Sequence, residues 1–274
     1  MKGRTLTFRE KFDAAVAQNN SFVCVGLDPD PEQIPHHLKG SSDPMTSFLS
    51  EIVVATKDIA CTYKPNFAFF GAHGIAGWTT LQNTIHAIPD HIPILLDFKA
   101  GDIGNTATQY ARMAYDQLGV DAVTVNPLMG TDAIEPFLAY QDGCSFLLCL
   151  TSNPGSADVL RLNTDQGILF EILAAKSVVW NQVGPCGLVV GATHPEDLAK
   201  VRAIATDLPI LLPGVGSQGG DANAIVKKGL DDKGGGILVN ASRSILYASS
   251  DRDFAEAARR SADDLRQTLN NSLS

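Results

Sequence analysis

The sequence is short of the features that mark several large protein classes. No stretch approaches the roughly 20 consecutive apolar residues of a membrane-spanning helix, and the opening MKGRTLTFREKFDAAVAQNN holds no apolar core of the kind a secretory signal carries. The expectation is a cytoplasmic protein with no membrane partner. Positive charge is scarce too: 21 Lys and Arg against 30 Asp and Glu leave a formal charge of −9. Such a chain repels nucleic acid at long range, so none is expected as a partner. An anionic small molecule stays compatible, because screening confines the unfavourable field to about 8 to 10 Å. The cysteines (Cys24, Cys61, Cys144, Cys149 and Cys186) contain no C-x-x-C pair, and all but Cys144 lie in apolar, strand-like runs. They read as buried thiols in a reducing compartment. The six histidines show no H-x-x-x-H spacing, so no metal site is expected. Ser152 has no G-x-S-x-G elbow around it, which argues against a serine hydrolase. No linker, low-complexity tract or charge block divides residues 1–274, which are read as one domain.

What is present is repetition. Short apolar runs recur at 22–28, 61–66, 92–99, 122–127, 145–152, 187–193, 209–216 and 236–243. They are continuous rather than alternating, as in strands buried on both faces. Helical periodicity lies before the second, fourth, sixth and seventh runs, and a last amphipathic helix, fraying at its end, closes the chain. Eight such units in about 250 residues match an α/β fold of the (β/α)8 TIM-barrel type. An open doubly wound sheet is the competing architecture.

In a barrel, function gathers at the C-terminal ends of the strands. Those ends read Asp28, Lys64 with Asn66, Asp97 with Lys99, Asn126, Thr151 with Ser152, Thr193, the Gly214 to Gly216 turn, and Arg243. Residues two apart on a strand share a face, so Asp97 and Lys99 point together, above Leu95 in the barrel interior. A lone Asp-x-Lys is usually a structural ion pair. With Asp102, Lys64 and Asp28 on the same rim, a site that handles charge is the stronger reading. Gly214, Gly216 and Gly219 also spell G-x-G-x-x-G, but the strand that follows ends in Ser242 and Arg243 rather than in an acid. A phosphate site fits better: backbone N–H groups at the glycines, Gln218 as cover, and Arg243 as a bidentate charge.

At this point the residues resemble the orotidine 5′-phosphate decarboxylase family, in its longer bacterial branch. DFKAGDI fits the family's Asp-x-Lys-x-x-Asp-Ile signature, and FVCVGLD, YKPN, LTSNPG, LPGVGSQGGD and NASRSI follow in the family's order, from about residue 22 to 247. The resemblance implies a cofactor-independent lyase that converts orotidine 5′-monophosphate to uridine 5′-monophosphate in pyrimidine synthesis, as a homodimer with shared active sites. It implies that Lys99 protonates C6 of the pyrimidine and that Asp97 faces the substrate carboxylate. Asp102, with Ile103 and Thr106, would cross from the neighbouring subunit. Lys64 and Asp28 would bind ribose hydroxyls, Ser152 the base, and Gln218 and Arg243, with Gly214 and Gly216, the 5′-phosphate.

Two other readings remain open at this stage. A magnesium-dependent decarboxylase or aldolase acting on a sugar phosphate uses similar acids as metal ligands. A phosphate or nucleotide sensor on the same scaffold would have no use for Lys99 between two carboxylates.

Overall fold

The computed structural model describes residues 6–214 and 222–273. Eight parallel strands run as β1 (Val23–Leu27), β2 (Thr62–Pro65), β3 (Leu95–Ala100), β4 (Ala122–Val125), β5 (Cys144–Leu150), β6 (Cys186–Val190), β7 (Ile210–Pro213) and β8 (Ile237–Ala241). Their order in the sheet is β2-β1-β8-β7-β6-β5-β4-β3. The two end strands then meet through single bridges, Tyr63 to Ile94 and Asn66 to Asp97. The result is a nearly closed TIM barrel, not an open sheet. Pro93 lacks an N–H, and the regular β3 ladder starts at Leu95, three residues later than the apolar run suggests.

Helices α1 (Phe8–Asn19), α2 (Pro44–Thr56), α3 (Gly74–Ala87), α4 (Gly104–Arg112), α5 (Thr131–Leu138), α6 (Leu169–Trp180), α7 (Pro195–Ile204), α8 (Ala222–Gly229) and α9 (Phe254–Asn271) surround it. Three of them, α3, α5 and α8, occupy intervals where the sequence pattern predicts no helix. Helix α3 holds two glycines and three threonines, and α5 holds Pro136. These are poor helix formers, so packing supplies what propensity does not: Leu81, Ile134, Phe137 and Ile225 are all buried in the core.

The apolar interior has two parts. Strand residues such as Val25, Leu96 and Val123 face the helices, while Cys24, Cys61, Leu95, Phe146, Leu211 and Leu238 fill the barrel itself. Helix α1, which the sequence pattern leaves unassigned, closes the floor of that interior with Phe8 and Phe12. Phe8 meets Phe146 edge-on at 5.4 Å. Lys11 Nζ lies 2.8 Å from Asp121 Oδ2, and Arg9 reaches Asp231 Oδ2 at 3.3 Å and the Asp207 carbonyl at 3.2 Å. Those three aspartates precede β4, β8 and β7, so α1 lies across the N-terminal ends of the strands. The opposite end is left for chemistry.

Two expectations change. Cys144 is the first residue of β5 and buried like the other four cysteines, because the strand starts one residue earlier than the apolar run. The C-terminal helix does not fray: Leu269 is buried and Asn270 Nδ2 donates to the Asn20 carbonyl at 2.9 Å, tying the last turn to the end of α1.

Candidate active site

Strand β3 does not reach its end as a regular strand. Leu95 lies opposite Ala122 and Leu96 opposite Val123, but the next pair is Ala100 with Val125, so residues 97–99 face Thr124 alone. This is a bulge, and within it Lys99 takes φ +47°, a left-handed conformation that costs a non-glycine residue about 1 to 3 kcal/mol. Simple alternation is therefore not what joins Asp97 to Lys99. The bulge turns the chain so that Lys99 Nζ comes within 2.6 Å of Asp97 Oδ1. Thr124 Oγ1 donates to that same oxygen at 2.9 Å and accepts from the N–H groups of Phe98 and Lys99, each at 3.0 Å.

The other oxygen of Asp97 has its own cation. Lys64, buried at the end of β2, places Nζ 2.8 Å from Asp97 Oδ2. Burial alone would raise the Asp97 carboxyl, but the Lys64 and Lys99 ammonium groups outweigh it and hold the acid well below the usual carboxylate range. Burial likewise works against a charged Lys64, and Asp97 with Asp28 outweigh it, so its ammonium is held above the ordinary lysine value. In the layer beneath, burial pushes the Cys24 thiol up to about 12, which keeps it neutral. Lys99 differs from Lys64 in being 46% exposed: it is the cation that faces the barrel mouth.

Asp28, at the end of β1, has a buried Oδ1 that accepts no hydrogen bond among the described residues. The loop that carries it is pinned by Tyr247, whose hydroxyl donates to the Asp28 carbonyl at 3.1 Å and accepts the Asp30 N–H at 2.6 Å. A carboxyl oxygen fixed at a rim, with acceptor capacity unused, suits a ligand hydroxyl.

The other expected residues fall into three groups. Ser152 stands half-buried at the end of β5, close over Gly191, where a Cβ would come within 2.6 Å of the Ser152 nitrogen. Gly214 opens the turn after β7 with φ +100°, and Arg243, itself exposed, starts a short helix, Arg243–Leu246, after β8. Gly216 and Gln218 lie outside the described residues. Asp102, Ile103 and Thr106 follow β3, and among the described residues no ion pair joins Asp102 to Lys64 or Lys99. Asp102 Oδ1 accepts the Ile103 N–H at 2.8 Å, Ile103 is 55% exposed, and Thr106 is exposed in the first turn of α4. Asn66 and Asn126 are structural caps, accepting from the N–H groups of Ala68 and Leu128. No cluster of three or more His, Cys, Asp or Glu able to hold a metal ion occurs among the described residues. Sequence reasoning missed Thr124 and Tyr247; for Thr124 the only sign is one hydroxyl inside the apolar run AVTVNP.

The family model described as "Orotidine 5'-phosphate decarboxylase / HUMPS family" matches residues 21–259, the whole barrel apart from the α1 plug and most of α9. A protein named orotidine 5′-phosphate decarboxylase from Herpetosiphon aurantiacus is 48% identical over 257 residues, 93% of this chain and 95% of that one. Another of that name, from Cupriavidus necator, is 48% identical over 97% of this chain and 98% of its own length. Among solved structures, the OMP decarboxylase of Leishmania donovani superposes with a TM-score of 0.86 at 35% identity, covering 98% of this chain and 99% of that one. Since the likeness runs through strands, rim and helices alike, and through nearly the full length of each relative, the chain belongs to the orotidine 5′-phosphate decarboxylase / HUMPS family.

Proposed function

We propose that this enzyme decarboxylates orotidine 5′-monophosphate to uridine 5′-monophosphate and CO2, a step of de novo pyrimidine synthesis, without a cofactor. The observation that carries this reading is Asp97 shared between Lys64 and Lys99, at 2.8 and 2.6 Å, at the open end of the barrel.

Breaking the bond from C6 of the pyrimidine to its carboxylate releases neutral CO2 and leaves an electron pair on C6 that the ring delocalises poorly. A fixed ammonium beside C6 gains attraction as that charge localises, so it favours the transition state over the bound substrate. Lys99, on the exposed side of Asp97, fills this role. Its Nζ then gives C6 a proton, and the neutral amine regains one from solvent. Asp97, kept ionised by two cations, faces the substrate carboxylate. Two unit charges 4 Å apart repel by about 4 kcal/mol at an effective dielectric near 20, and the repulsion disappears when CO2 leaves. Lys64 keeps that carboxylate charged and in place.

Asp28 accepts a ribose hydroxyl at its unused Oδ1, with Lys64 beside it. Ser152 meets the base. Arg243, the Gly214 to Gly216 turn and Gln218 hold the 5′-phosphate, whose binding energy is available to order the loops over the site. Asp102, Ile103 and Thr106 complete the site of a partner subunit in a homodimer. The exposure of Ile103 and Thr106 just after β3, beside a half-buried Asp102, supports that role.

The test is the ultraviolet absorbance change when chelator-treated protein meets orotidine 5′-monophosphate, with the product identified as uridine 5′-monophosphate. Rapid conversion without added metal is expected. Conversion only of a sugar phosphate, and only with Mg²⁺, would overturn the reading.

A further inference from the structure

Resting on the decarboxylase reading, we propose that Thr124 is a positioning residue of the reaction, whose hydroxyl creates the turn that aims Lys99 and orients the carboxylate of Asp97. A hydroxyl offers one hydrogen and two acceptor lone pairs, and Thr124 uses all three within this one bulge. The hydrogen goes to Asp97 Oδ1 at 2.9 Å, and the lone pairs receive the consecutive N–H groups of Phe98 and Lys99 at 3.0 Å.

Successive N–H groups of an extended strand point to opposite sides and cannot reach one atom. For both to converge on Thr124 Oγ1 the chain has to curl, and the φ of +47° at Lys99 is that curl. Residues 97–99 have only Thr124 opposite them, and a side-chain oxygen takes the place of the interrupted ladder. The strain at Lys99 therefore has an identifiable anchor. Glycine would take the same backbone freely, but the position is occupied by the lysine whose amine meets Asp97 at 2.6 Å. Thr124 is fully buried, beyond the reach of water, so no solvent molecule can take over its three bonds. Donation from its hydroxyl also selects which Asp97 oxygen faces Lys99 and which faces Lys64.

The test compares wild type, Thr124→Val and Thr124→Ser by steady-state kinetics with orotidine 5′-monophosphate and by the pH profile of kcat/KM. Valine keeps the volume and removes the hydroxyl; serine keeps the hydroxyl. Thr124→Val is expected to lose about 100-fold in kcat with KM changed less than about threefold, since misplacing a reacting group by an ångström costs that much. Its acid limb should move to higher pH, because Asp97 loses a donor while Lys64 on β2, Lys99 on β3, and Asp28 and Cys24 on β1 still face it. Thr124→Ser should return to within about tenfold of wild type. Serine as slow as valine, or valine at the wild-type kcat, overturns the proposal. A wild-type protein inactive on this nucleotide would instead overturn the decarboxylase reading. The positioning role is then decided by a crystal structure of Thr124→Val: Lys99 relaxed to negative φ supports it, and Lys99 unchanged with its Asp97 contact intact overturns it. Should valine fail to fold, Thr124→Cys, with its weaker donor and acceptor, takes its place with the same expected direction, and wild-type kcat in that variant is the overturning result.

Discussion

A carboxylate held between two ammonium groups makes stability depend on pH from both sides. Asp97 titrates below its unfolded value near 3.9, so its contribution is present above that pH and is lost as pH falls towards the folded value. Lys64 titrates above its unfolded value near 10.4, so its contribution is full below that pH and is lost as pH rises through the folded value. Urea unfolding is therefore expected to show a plateau in this pair's contribution between about pH 5 and 9, with an acid fall that is shallower in Asp97→Asn. At the reacting centre, Lys99→Ala should reduce kcat by at least about 1000-fold, the scale of losing a transition-state charge together with a proton donor, while uridine 5′-monophosphate still binds by calorimetry. Retention of turnover would remove Lys99 from the mechanism. The two residues differ from Thr124 in how legible they are. Charges at the end of an apolar run announce themselves, whereas a threonine inside a strand has an ordinary reason to be there, and its three bonds exist only because β3 bulges.

At the scale of elements, α1 and the chain ends that meet it behave as a plug, separate from the chemistry. Phe12 is wholly buried in the barrel interior, stacked on Phe8 at 5.9 Å. Phe12→Ala is expected to lower the unfolding free energy by about 3 to 5 kcal/mol in urea while kcat at 25 °C stays at the wild-type value, because the plug closes the end opposite Lys99. Arg202, buried in α7, donates to five main-chain carbonyls: Gly229, Ala205 and Leu208 at 2.8 Å, and Thr206 and Gly236 at 3.1 Å. Burial pulls its guanidinium down to about 10, with Asp231 opposing the shift. Arg202→Met leaves those acceptors short of donors and should cost about 3 to 5 kcal/mol, read by the same unfolding experiment. The sequence announces the eight strands because each is apolar on both faces, and it announces α2, α4, α6, α7 and α9, whose interiors hold no glycine or proline. It is silent on α1, α3, α5 and α8, which are held as helices by packing, with Phe12, Leu81, Ile134, Phe137 and Ile225 all buried.

For the whole molecule, the question is whether one chain holds a complete site. Ile103 and Thr106 are exposed just after β3, and Asp102, half-buried, forms no ion pair with Lys64 or Lys99 among the described residues. If they serve a partner, mixing Asp97→Asn with Asp102→Asn, each inactive alone, should restore about a quarter of wild-type activity, since half of the randomly formed dimers carry one intact site. No recovery after subunit exchange would place each site within one chain. The sequence by itself determined the barrel, the end of it where charged residues gather, the rim positions of Asp28, Lys64, Asp97 and Lys99, and the family. These depend on local composition, on the period of two along a strand, and on the order of short motifs, all of which are properties of the chain read in one dimension. Only the tertiary structure decided that β3 breaks into a bulge, that Thr124 anchors it, that Asp97 gives one oxygen to each lysine, and that α1 seals the floor. These features depend on contacts between residues far apart in the chain, Thr124 with Asp97, Lys64 with Asp97 and Phe8 with Phe146, formed when the strands close on one another and the unpaired donors of β3 must find an acceptor inside the barrel.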